Sequence, residues 1–510
     1  MENFVSTEIM PLRKLLIHSP DGGIGKIIPS KFKDWLYDDT VNLKDMQGEY
    51  DEYVRLLLYF LDFEKAKEVE DYLKEHKGTT KARDIFKPGK KAYFDSDKVI
   101  DIQKALIDIL EKFENLNDVK TVRVRLVAAI CAIEGCSREI QKTLEEELSP
   151  AELVNALITG VIQEDGKDEF IFPPVPNLVF TRDIGIMVKD HLLLSKTAKQ
   201  ARKRESILAK YVALFHPWLF GEDKDKIIEI TEDSNFFLKS ATEQKTQQIT
   251  IEGGDIMMIA PHHLIVGCSE RTSASAVNAI IHRLFDKKKE GLAIDTVSVV
   301  KVPKARSQMH IDTIFTQIKK DAWVMHGAFS ERLEAKRQNE RKDYSLLLNG
   351  KEKKKDSKVK VFVFKREDYE AKRDPSIELE GLEALLRYVS RHDFGVRETD
   401  VKIIYSGNGQ FPYDEREQWT DSCNLLALKE GVVIGYDRNE KTADAFREHL
   451  GFEIIHAKDL LNKIENEDFD VQGLKNTLIL LASSELSRAR GGSHCMSMPL
   501  IRDKINCSQS

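Results

Sequence analysis

The chain has 510 residues, of which 41% are hydrophobic and 32% charged, enough to bury one large core or two smaller ones. Its net charge of −7 lacks the basic excess expected of a nucleic-acid-binding protein. No apolar run suggests a signal peptide or a membrane span, and the six cysteines form no CxxC pair. These features predict a cytoplasmic protein with free thiols and no nucleic-acid or membrane partner.

The first long segment, from about Glu49 to Gly160, has a helical pattern throughout. Apolar residues recur at three- and four-residue steps, as between Val99 and Leu110. The pair Ser149-Pro150 is typical of a helix N-cap followed by the first turn. No convincing strand interrupts the pattern, so residues 49–160 are predicted to form an all-helical module.

The pattern then changes to a recurring unit of two short strands joined by a turn, an amphipathic helix and a third strand. Four copies follow one another along the chain. The predicted segments are strands 177–182 and 192–195, helix 201–215 and strand 227–230; strands 249–252, 256–259 and 264–266, helix 274–285 and strand 296–302; strands 310–315 and 323–325, helix 379–391 and strand 401–405; strands 424–428 and 432–436, helix 441–449 and strand 453–455.

Segments 15–18 and 493–500 are predicted to pair, which would complete a fifth unit and bring the two ends of the chain together. Repeated sheet units bury their faces against neighbours, and a closed ring supplies them. The sequence therefore predicts an α/β fold, a five-bladed pseudo-symmetric propeller of ββαβ units; an ordinary α/β sheet is the alternative. Residues 1–48 and 161–510 would form the catalytic domain, with the helical module at 49–160 and a charged insertion at about 330–360.

Five polar patches lie at predicted strand ends or adjacent turns, where a propeller presents its channel. In a strand, side chains two residues apart share a face, so His310 and Asp312 would give one surface a base and an acid. The patches are residues 180–183, 252–255, 310–312, 416–424 and 491–495.

Cys495 follows two glycines, which allow a ligand to approach the backbone closely. It is a candidate nucleophile if nearby cationic groups lower the pKa of its thiol. A buried, inert cysteine is the alternative. His310 is the better base than His494, because neighbours along an extended segment point away from each other.

Three carboxylates, Asp183, Glu252 and Asp312, accompany the cysteine and histidine. Singly, each could serve a turn or a helix cap. Together they suit a cationic substrate, and paired carboxylates match the planar fork of a guanidinium group. No group of His, Cys and acidic residues has zinc-ligand spacing, so neither a metal nor an organic cofactor is expected.

The motifs around these residues resemble those of the arginine deiminases, in the guanidino-group modifying superfamily. The resemblance runs from residue 15 to residue 502, its motifs occur in the family's order, and the family's five-bladed fold with a helical insertion agrees with the predicted architecture. The matching segments are PNLVFTRD at 176–183, EGGD at 252–255, HIDT at 310–313 and RGGSHCM at 490–496, with weaker matches at 35–39, 49–53 and 417–421.

The resemblance implies a role for each residue. Cys495 would attack the guanidinium carbon and form a covalent thiouronium intermediate, while His310 would protonate the leaving ammonia and then activate water. Asp183 and Asp312 would hold the guanidinium nitrogens, and Glu252 would orient His310. The remaining matches would bind the amino-acid end of the substrate and the loops of the site (Asn177, Arg202, Arg271 and Arg490) and the aliphatic stem of the substrate (Phe180).

The implied reaction is hydrolysis of free L-arginine to L-citrulline and ammonia by a homo-oligomer, with a dimer as the first expectation. Amidino transfer to an amine, hydrolysis of a methylated arginine and a non-catalytic regulatory role are the alternatives. The chain departs from the family's usual pattern at His18, where Arg is common, and at Met498, where a second Cys is common.

Overall fold

A computed structural model describes most of the chain, with short gaps. Within the described residues the strands form five sheets of three to five strands and one separate hairpin, in a mixed α/β fold. No described helix is long and apolar enough to cross a lipid bilayer. The described residues are 2–112, 119–164, 166–217, 219, 223–232, 234–286, 292–303, 305–333, 359–371, 377–467 and 469–505.

The two ends of the chain share one sheet, which confirms their predicted pairing. Strand Leu12–Ile17 runs antiparallel to strand Met498–Arg502, with Leu12 opposite Arg502 and Leu16 opposite Met498. Leu15 and Leu16 are buried. Leu15 packs in one hydrophobic cluster and Leu16 in another, so the two faces of this sheet contact different cores.

The prediction that residues 49–160 contain no strand is wrong. Strand Val99–Asp101 runs parallel to Leu12–Ile17 and forms the third strand of the terminal sheet. Its helix begins only at Ile102. The β-branched side chains of Val99 and Ile100 are buried, and their backbone partners are more than eighty residues distant in sequence, so local periodicity could not reveal the strand.

The first internal sheet keeps the order of the predicted unit, although its first strand begins at Gly185 instead of lying at the predicted residues 177–182. Strands Gly185–Val188 and His191–Leu194 form a hairpin, and Ile227–Ile228 lies parallel to the second of them. Helix Lys203–Phe215 connects these last two strands.

The second internal sheet is wider than predicted. Its helix, Ala274–Phe285, matches the prediction residue for residue. Two strands after residue 358 extend the sheet, although only a charged insertion was expected near them. The order in the sheet is Ile377–Leu379, Lys360–Lys365, Thr296–Lys301, His263–Cys268 and Ile256–Ala260. Most of that insertion, residues 334–358, lies outside the described residues.

The third and fourth internal sheets also keep the unit. One extra strand, Thr477–Leu481, lies between the second and last predicted strands of the fourth sheet. It is a continuous apolar run that is buried on both faces, so it lacks the alternation by which strands are recognised. The third sheet contains Phe315–Lys319, Ala322–Met325 and Lys402–Tyr405 with helix Gly381–Phe394, and the fourth contains Leu426–Lys429, Val432–Tyr436, Thr477–Leu481 and Glu453–His456 with helices Glu440–Leu450 and Ala457–Asn466.

The segments that carry the polar motifs are short 3-10 turns rather than the predicted strands. Predicted strand 177–182 is replaced by turns Pro176–Val179 and Thr181–Ile184, and predicted strand 310–315 by turn Ile311–Thr313. Turn Gly253–Asp255 likewise follows Ile251, which makes a single bridge instead of a strand. Local hydrogen bonds from Phe180 N to Asn177 O and from Asp183 N to Phe180 O close these turns.

The helices of the predicted module pack into two different cores. The first two share a hydrophobic cluster with the terminal and fourth sheets, and the later ones share another with the first and second internal sheets. The first helix begins at Leu43, capped by the side chain of Asn42. The six helices are Leu43–Leu61, Phe63–Glu75, Ile102–Lys112, Val119–Glu134, Arg138–Glu146 and Pro150–Thr159.

A few short elements complete the described structure. The separate hairpin follows the last helix of the predicted module, and the short helices connect the larger units. They are strands Val161–Glu164 and Lys167–Phe170 and helices Phe32–Trp35, Ala241–Gln247, Arg366–Glu370 and Tyr413–Trp419.

Because the helices share cores with the sheets, we expect a cavity in a helix to destabilise the whole chain. Leu157 is fully buried in helix Pro150–Thr159, so Leu157→Ala should lower the free energy of unfolding by about 2–5 kcal/mol. Denaturant unfolding, followed by circular dichroism and tryptophan fluorescence, should show one shifted transition. Val124→Ala, at a position 40% exposed, should change the free energy little. An early transition confined to the helices would contradict the shared core.

Candidate active site

The polar turns meet at one pocket. Nine of the ten predicted site residues line it, and the tenth, Asp312, lies directly behind Cys495. The sequence argument did not single out Leu36, Arg306, Met309, Thr313 and Ala489, which also line the pocket.

His310 is held between two carboxylates inside the pocket. Its Nε2 lies 3.0 Å from Glu252 Oε2, and its Nδ1 lies 3.6 Å from Asp183 Oδ1. Burial by itself would lower the pKa of His310, but the charges of Asp183, Glu252 and Asp255 raise it to about 10. The imidazole is therefore protonated at neutral pH, and Glu252 stays ionised with its pKa lowered to about 2, against burial, by Arg202 and His310.

Arg202 neutralises the same carboxylates from the other side. Its Nη1 donates to Asp183 Oδ2 at 2.7 Å and to Glu252 Oε2 at 3.3 Å, and its Nε donates to Glu205 Oε2 at 2.8 Å. The side chain is buried at the end of turn Gln200–Arg202, immediately before helix Lys203–Phe215. Arg202 was predicted to bind the amino-acid end of the substrate, and in the structure it binds the protein's own acids.

The ligand atoms of Asp183, Glu252 and His310 lie within 4.8 Å of one another, a spacing at which such groups could hold a metal ion. In the structure, Arg202 Nη1 contacts both carboxylates. A guanidinium cation thus supplies positive charge where a metal would.

Cys495 lies in a turn that directly precedes strand Met498–Arg502. Its backbone N–H donates to Asn424 Oδ1 at 2.9 Å, and its Sγ lies 3.4 Å from Asp312 Oδ2. Burial, followed by the charges of Asp312, Asp183 and Asp421, raises the pKa of the thiol well above its usual value. The cationic surroundings proposed from the sequence are not provided by these neighbours, and the cysteine is a neutral thiol.

His494 points to Asp312, behind the nucleophile. Its Nδ1 lies 2.9 Å from Asp312 Oδ2, and its Nε2 lies 3.4 Å from Glu8 Oε2. His494 keeps the pKa of Asp312 below its usual value, although burial opposes this. The sequence argument set His494 aside because it assumed an extended segment, whereas Ser497 N bonds to His494 O and closes a turn.

Two glycines allow these groups to approach. A Cβ atom on Gly254 would lie 2.6 Å from His310 Nδ1 and 2.9 Å from Asp183 Oδ1. A Cβ atom on Gly491 would lie 2.3 Å from the ring of Phe180. Any side chain at either position would displace a pocket residue.

Several buried polar atoms of the predicted site make no hydrogen bond within the described part of the chain. Asp183 Oδ1 and Asp312 Oδ1 are acceptors, while Nε and Nη1 of both Arg271 and Arg490 are donors. Buried polar groups are nearly always paired, and leaving one unpaired costs about 1–3 kcal/mol. A ligand that carries both a cationic N–H group and a carboxylate would satisfy both sets.

Two arginines hold the edge of the pocket, Arg306, which the sequence argument did not assign, and the predicted substrate-binding residue Arg490. Arg306 Nη2 donates to Leu36 O at 2.6 Å and lies 3.2 Å from Asp38 Oδ2. The guanidinium of Arg490 stacks 3.4 Å above the ring of Trp419. The sequence signals for this edge were the weak matches at residues 35–39 and 417–421 and the motif at 490–496. None of them included Arg306, because pairs so far apart in the chain leave no local pattern.

Turns between small sheets bring Cys495, His310 and several carboxylates together, and this combination suits the class of enzymes that modify guanidino groups. The family model described as "ADI: Arginine deiminase" matches residues 151–502. The chain belongs to the arginine deiminase family, and it is a hydrolase of the carbon–nitrogen bonds of linear amidines.

Individual relatives agree with this family. Arginine deiminases from Staphylococcus aureus strains JH9 and Newman are each 27% identical over 515 residues, covering 98% of this chain and 98% of theirs.

Two solved structures are also similar. SxtG, an amidinotransferase from Microseira wollei, is 10% identical, with 100% of this chain and 99% of that chain covered and a TM-score of 0.44. The N-terminal domain of ArgZ, an arginine dihydrolase from Cyanobacteria, is 12% identical, with 64% and 76% covered and a TM-score of 0.33.

We expect Glu252→Gln to lower the pKa of His310 below about 10, because it removes a bonded carboxylate. Nitrogen-15 NMR titration of labelled histidines would measure this shift. Glu205→Gln is the matched control, because Glu205 bonds to Arg202 but not to His310. An unchanged pKa of His310 in Glu252→Gln would contradict the assignment.

Because folding raises the pKa of His310, the free energy of unfolding depends on pH. Protonated His310 contributes stability that is fully present below its unfolded pKa of about 6.5 and is lost as the pH rises toward 10. In Glu252→Gln this loss should end at a lower pH.

Proposed function

We propose that the chain hydrolyses free L-arginine to L-citrulline and ammonia through a covalent thiouronium intermediate on Cys495. The observation that carries the proposal is a set of buried atoms, in the pocket or directly behind it, that make no hydrogen bond within the described residues. Asp183 and Asp312 each offer an acceptor, and Arg271 and Arg490 offer donors. Arginine carries a guanidinium for the first pair and an α-carboxylate for the second.

The substrate itself would activate the nucleophile. Burial and carboxylate charge keep the pKa of Cys495 high, so the thiolate is disfavoured before substrate binds. A bound guanidinium would place a positive charge between these acids and Sγ, which favours the thiolate, and the thiol proton would leave to solvent. Cysteine reactivity would then arise only when a cation of the right shape is present.

His310 begins as an acid, because its pKa of about 10 keeps it protonated. The Cys495 thiolate forms a bond to the guanidinium carbon, one carbon–nitrogen bond breaks, and His310 gives its proton to the departing ammonia. Neutral His310 then takes a proton from water. The resulting hydroxide attacks the thiouronium carbon, and the carbon–sulfur bond breaks. The product loses its hydroxyl proton, a proton returns to Cys495 Sγ, and citrulline leaves.

The other residues position the substrate. Asp183 and Asp312 would bind guanidinium nitrogens, and Glu252 would stabilise the imidazolium of His310 in the manner of the third member of a triad. Phe180 would contact the aliphatic stem. Asn177 and Arg202 would reach the amino-acid end, although Arg202 would have to do so while it holds Asp183 and Glu252.

The proposal also covers the arrangement of the sheets as a propeller and the residues that form it. We propose that the five sheets are the blades of one ring around the pocket, formed by residues 1–48 and 161–510 together with strand Val99–Asp101. Hydrogen bonds between consecutive units support a ring. They are Arg182 N to Cys495 O, the bridge of Lys196 with Ile251, Ile311 N to Asp255 Oδ1, Gly431 N to Ile318 O and Leu426 N to Ser493 Oγ.

An assay of citrulline and ammonia tests the reaction. With arginine, the wild type should release the two products in equal amounts, with or without added glycine as an acceptor. Cys495→Ser should be inactive yet folded, because a serine hydroxyl ionises far less readily than a thiol. Mass spectrometry of wild type quenched during turnover should find a covalent adduct on Cys495.

Other outcomes of this assay would select a different function. An amidinated glycine product would indicate a transferase, and turnover of methylated arginine alone would indicate a methylarginine hydrolase. Absence of turnover with each substrate would favour a non-catalytic homologue. An adduct on another residue would contradict the assignment of Cys495 as the nucleophile.

We further expect a strong preference for arginine over agmatine, which has the guanidinium but no carboxylate. A site built around a charged partner rejects an analogue that leaves its polar groups unpaired, here by about 10³-fold or more in kcat/KM. Arg271→Ala should lower kcat/KM sharply for arginine and far less for agmatine. Arg397→Ala, whose side chain is 83% exposed, is the control and should change neither. Equal kcat/KM for the two substrates in wild type would refute the carboxylate role.

A further inference from the structure

Two cysteines meet where helix Val119–Glu134 ends. The helix stops at Gly135, whose φ of +73° lies in the left-handed region. The backbone N–H groups of Gly135 and Cys136 both donate to Cys131 O, at 2.9 and 3.1 Å. This is the hydrogen-bond pattern of a helix C-terminus that is closed by a left-handed glycine.

This termination motif brings the side chains of the two bonded positions together. Cys131 is buried in the hydrophobic cluster, and Cys136 packs against the same cluster from a partly exposed position. Each thiol also shifts the pKa of the other, which indicates that they are close. A disulfide requires Cα atoms about 4.4–6.8 Å apart, and the bond from Cys136 N to Cys131 O holds the two backbones near that range.

The two thiols differ in ways that suit sequential chemistry. Burial and Cys136 raise the pKa of Cys131 to about 12. The pKa of Cys136 is also raised by burial and by the charge of Glu134, while the hydrogen bond with Cys131 and the Arg204 guanidinium oppose the rise. Cys136 is the more accessible thiol, and Cys131 is the buried neighbour placed to react with it.

We propose that Cys131 and Cys136 are a redox-active dithiol that a hydroperoxide converts to an intramolecular disulfide. The Cys136 thiolate attacks the outer peroxide oxygen, the O–O bond breaks, and the alcohol or water leaves with the sulfenic acid on Cys136. Cys131 then attacks that sulfur, the S–S bond forms, and water leaves. Two thiols lose two electrons and two protons in total, and the hydroperoxide accepts them.

One buried arginine, Arg204, contacts Glu134 near the dithiol and lies two residues after the pocket residue Arg202. Glu134, the last residue of the helix, lies 3.5 Å from Arg204 Nη1. Arg204 is buried in the first turn of helix Lys203–Phe215, directly after Arg202 and Lys203, and its guanidinium stacks 4.9 Å from the ring of Phe172. The redox site does not depend on the proposed reaction, because none of its atoms enters the pocket.

The test uses full-length protein carrying Cys495→Ser, so that the pocket thiol does not compete. After treatment with a slight excess of hydrogen peroxide, intact mass should fall by two hydrogens. Peptide mapping after alkylation should find one disulfide, between Cys131 and Cys136. Dithiothreitol should restore both thiols.

Single variants separate this pair from general oxidation. Cys131→Ala and Cys136→Ser should each abolish the mass loss, and Cys131→Ala should leave Cys136 as a sulfenic acid that dimedone traps. Cys268→Ser, at another partly exposed thiol, should oxidise like the parent. If Cys131→Ala fails to fold, by circular dichroism, Cys136→Ser decides the question. Oxidation of Cys136 beyond the sulfenic acid without a cross-link, or a disulfide to a different cysteine, would overturn the proposal.

Discussion

The burial of several carboxylates around one cysteine is the constraint on which the rest of the structure depends. Asp183, Glu252 and Asp312 are at most 4% exposed, and an isolated buried charge is too costly to persist. The protein offsets it with cations that are also buried, chiefly Arg202 and His310. The compensation is incomplete, since one oxygen each of Asp183 and Asp312 has no hydrogen-bond partner among the described residues.

That incomplete compensation links electrostatics to chemistry. Burial and the charges of Asp312, Asp183 and Asp421 raise the pKa of Cys495. Asp183 also helps to raise the pKa of His310, together with Glu252 and Asp255. The pocket therefore holds a neutral thiol and a protonated histidine. Under the proposed function, a guanidinium substrate both completes the charge balance and releases the nucleophile, so binding and activation would be one event.

The architecture explains how acids from distant parts of the chain reach one place. Each lies on a tight turn that precedes a buried strand, and each sheet is fixed by its own apolar contacts. Backbone and side-chain hydrogen bonds such as Ile311 N to Asp255 Oδ1 then fix one turn against the next. The helices add a second support, because they share cores with the sheets rather than forming a core of their own.

The sequence by itself determined the repeated unit, the pairing of the two ends and the chemical character of the site, because apolar periodicity and short motifs are local properties. Helix Ala274–Phe285 follows from apolar periodicity. The ten predicted site residues came from short motifs and from the family resemblance, and the structure places them in one pocket or directly behind it. Strands Val99–Asp101 and Thr477–Leu481 did not, since their identity depends on partners supplied by distant segments.

The tertiary structure alone decided the charge balance. Contacts of Arg202 with two pocket acids and of His494 with Asp312 join residues from separate turns, and no spacing in the chain encodes their distances. The protonation state of Cys495 depends on its burial and on nearby charges, so only the folded structure determines it. A pKa is a property of the assembled environment, whereas a motif is a property of the chain.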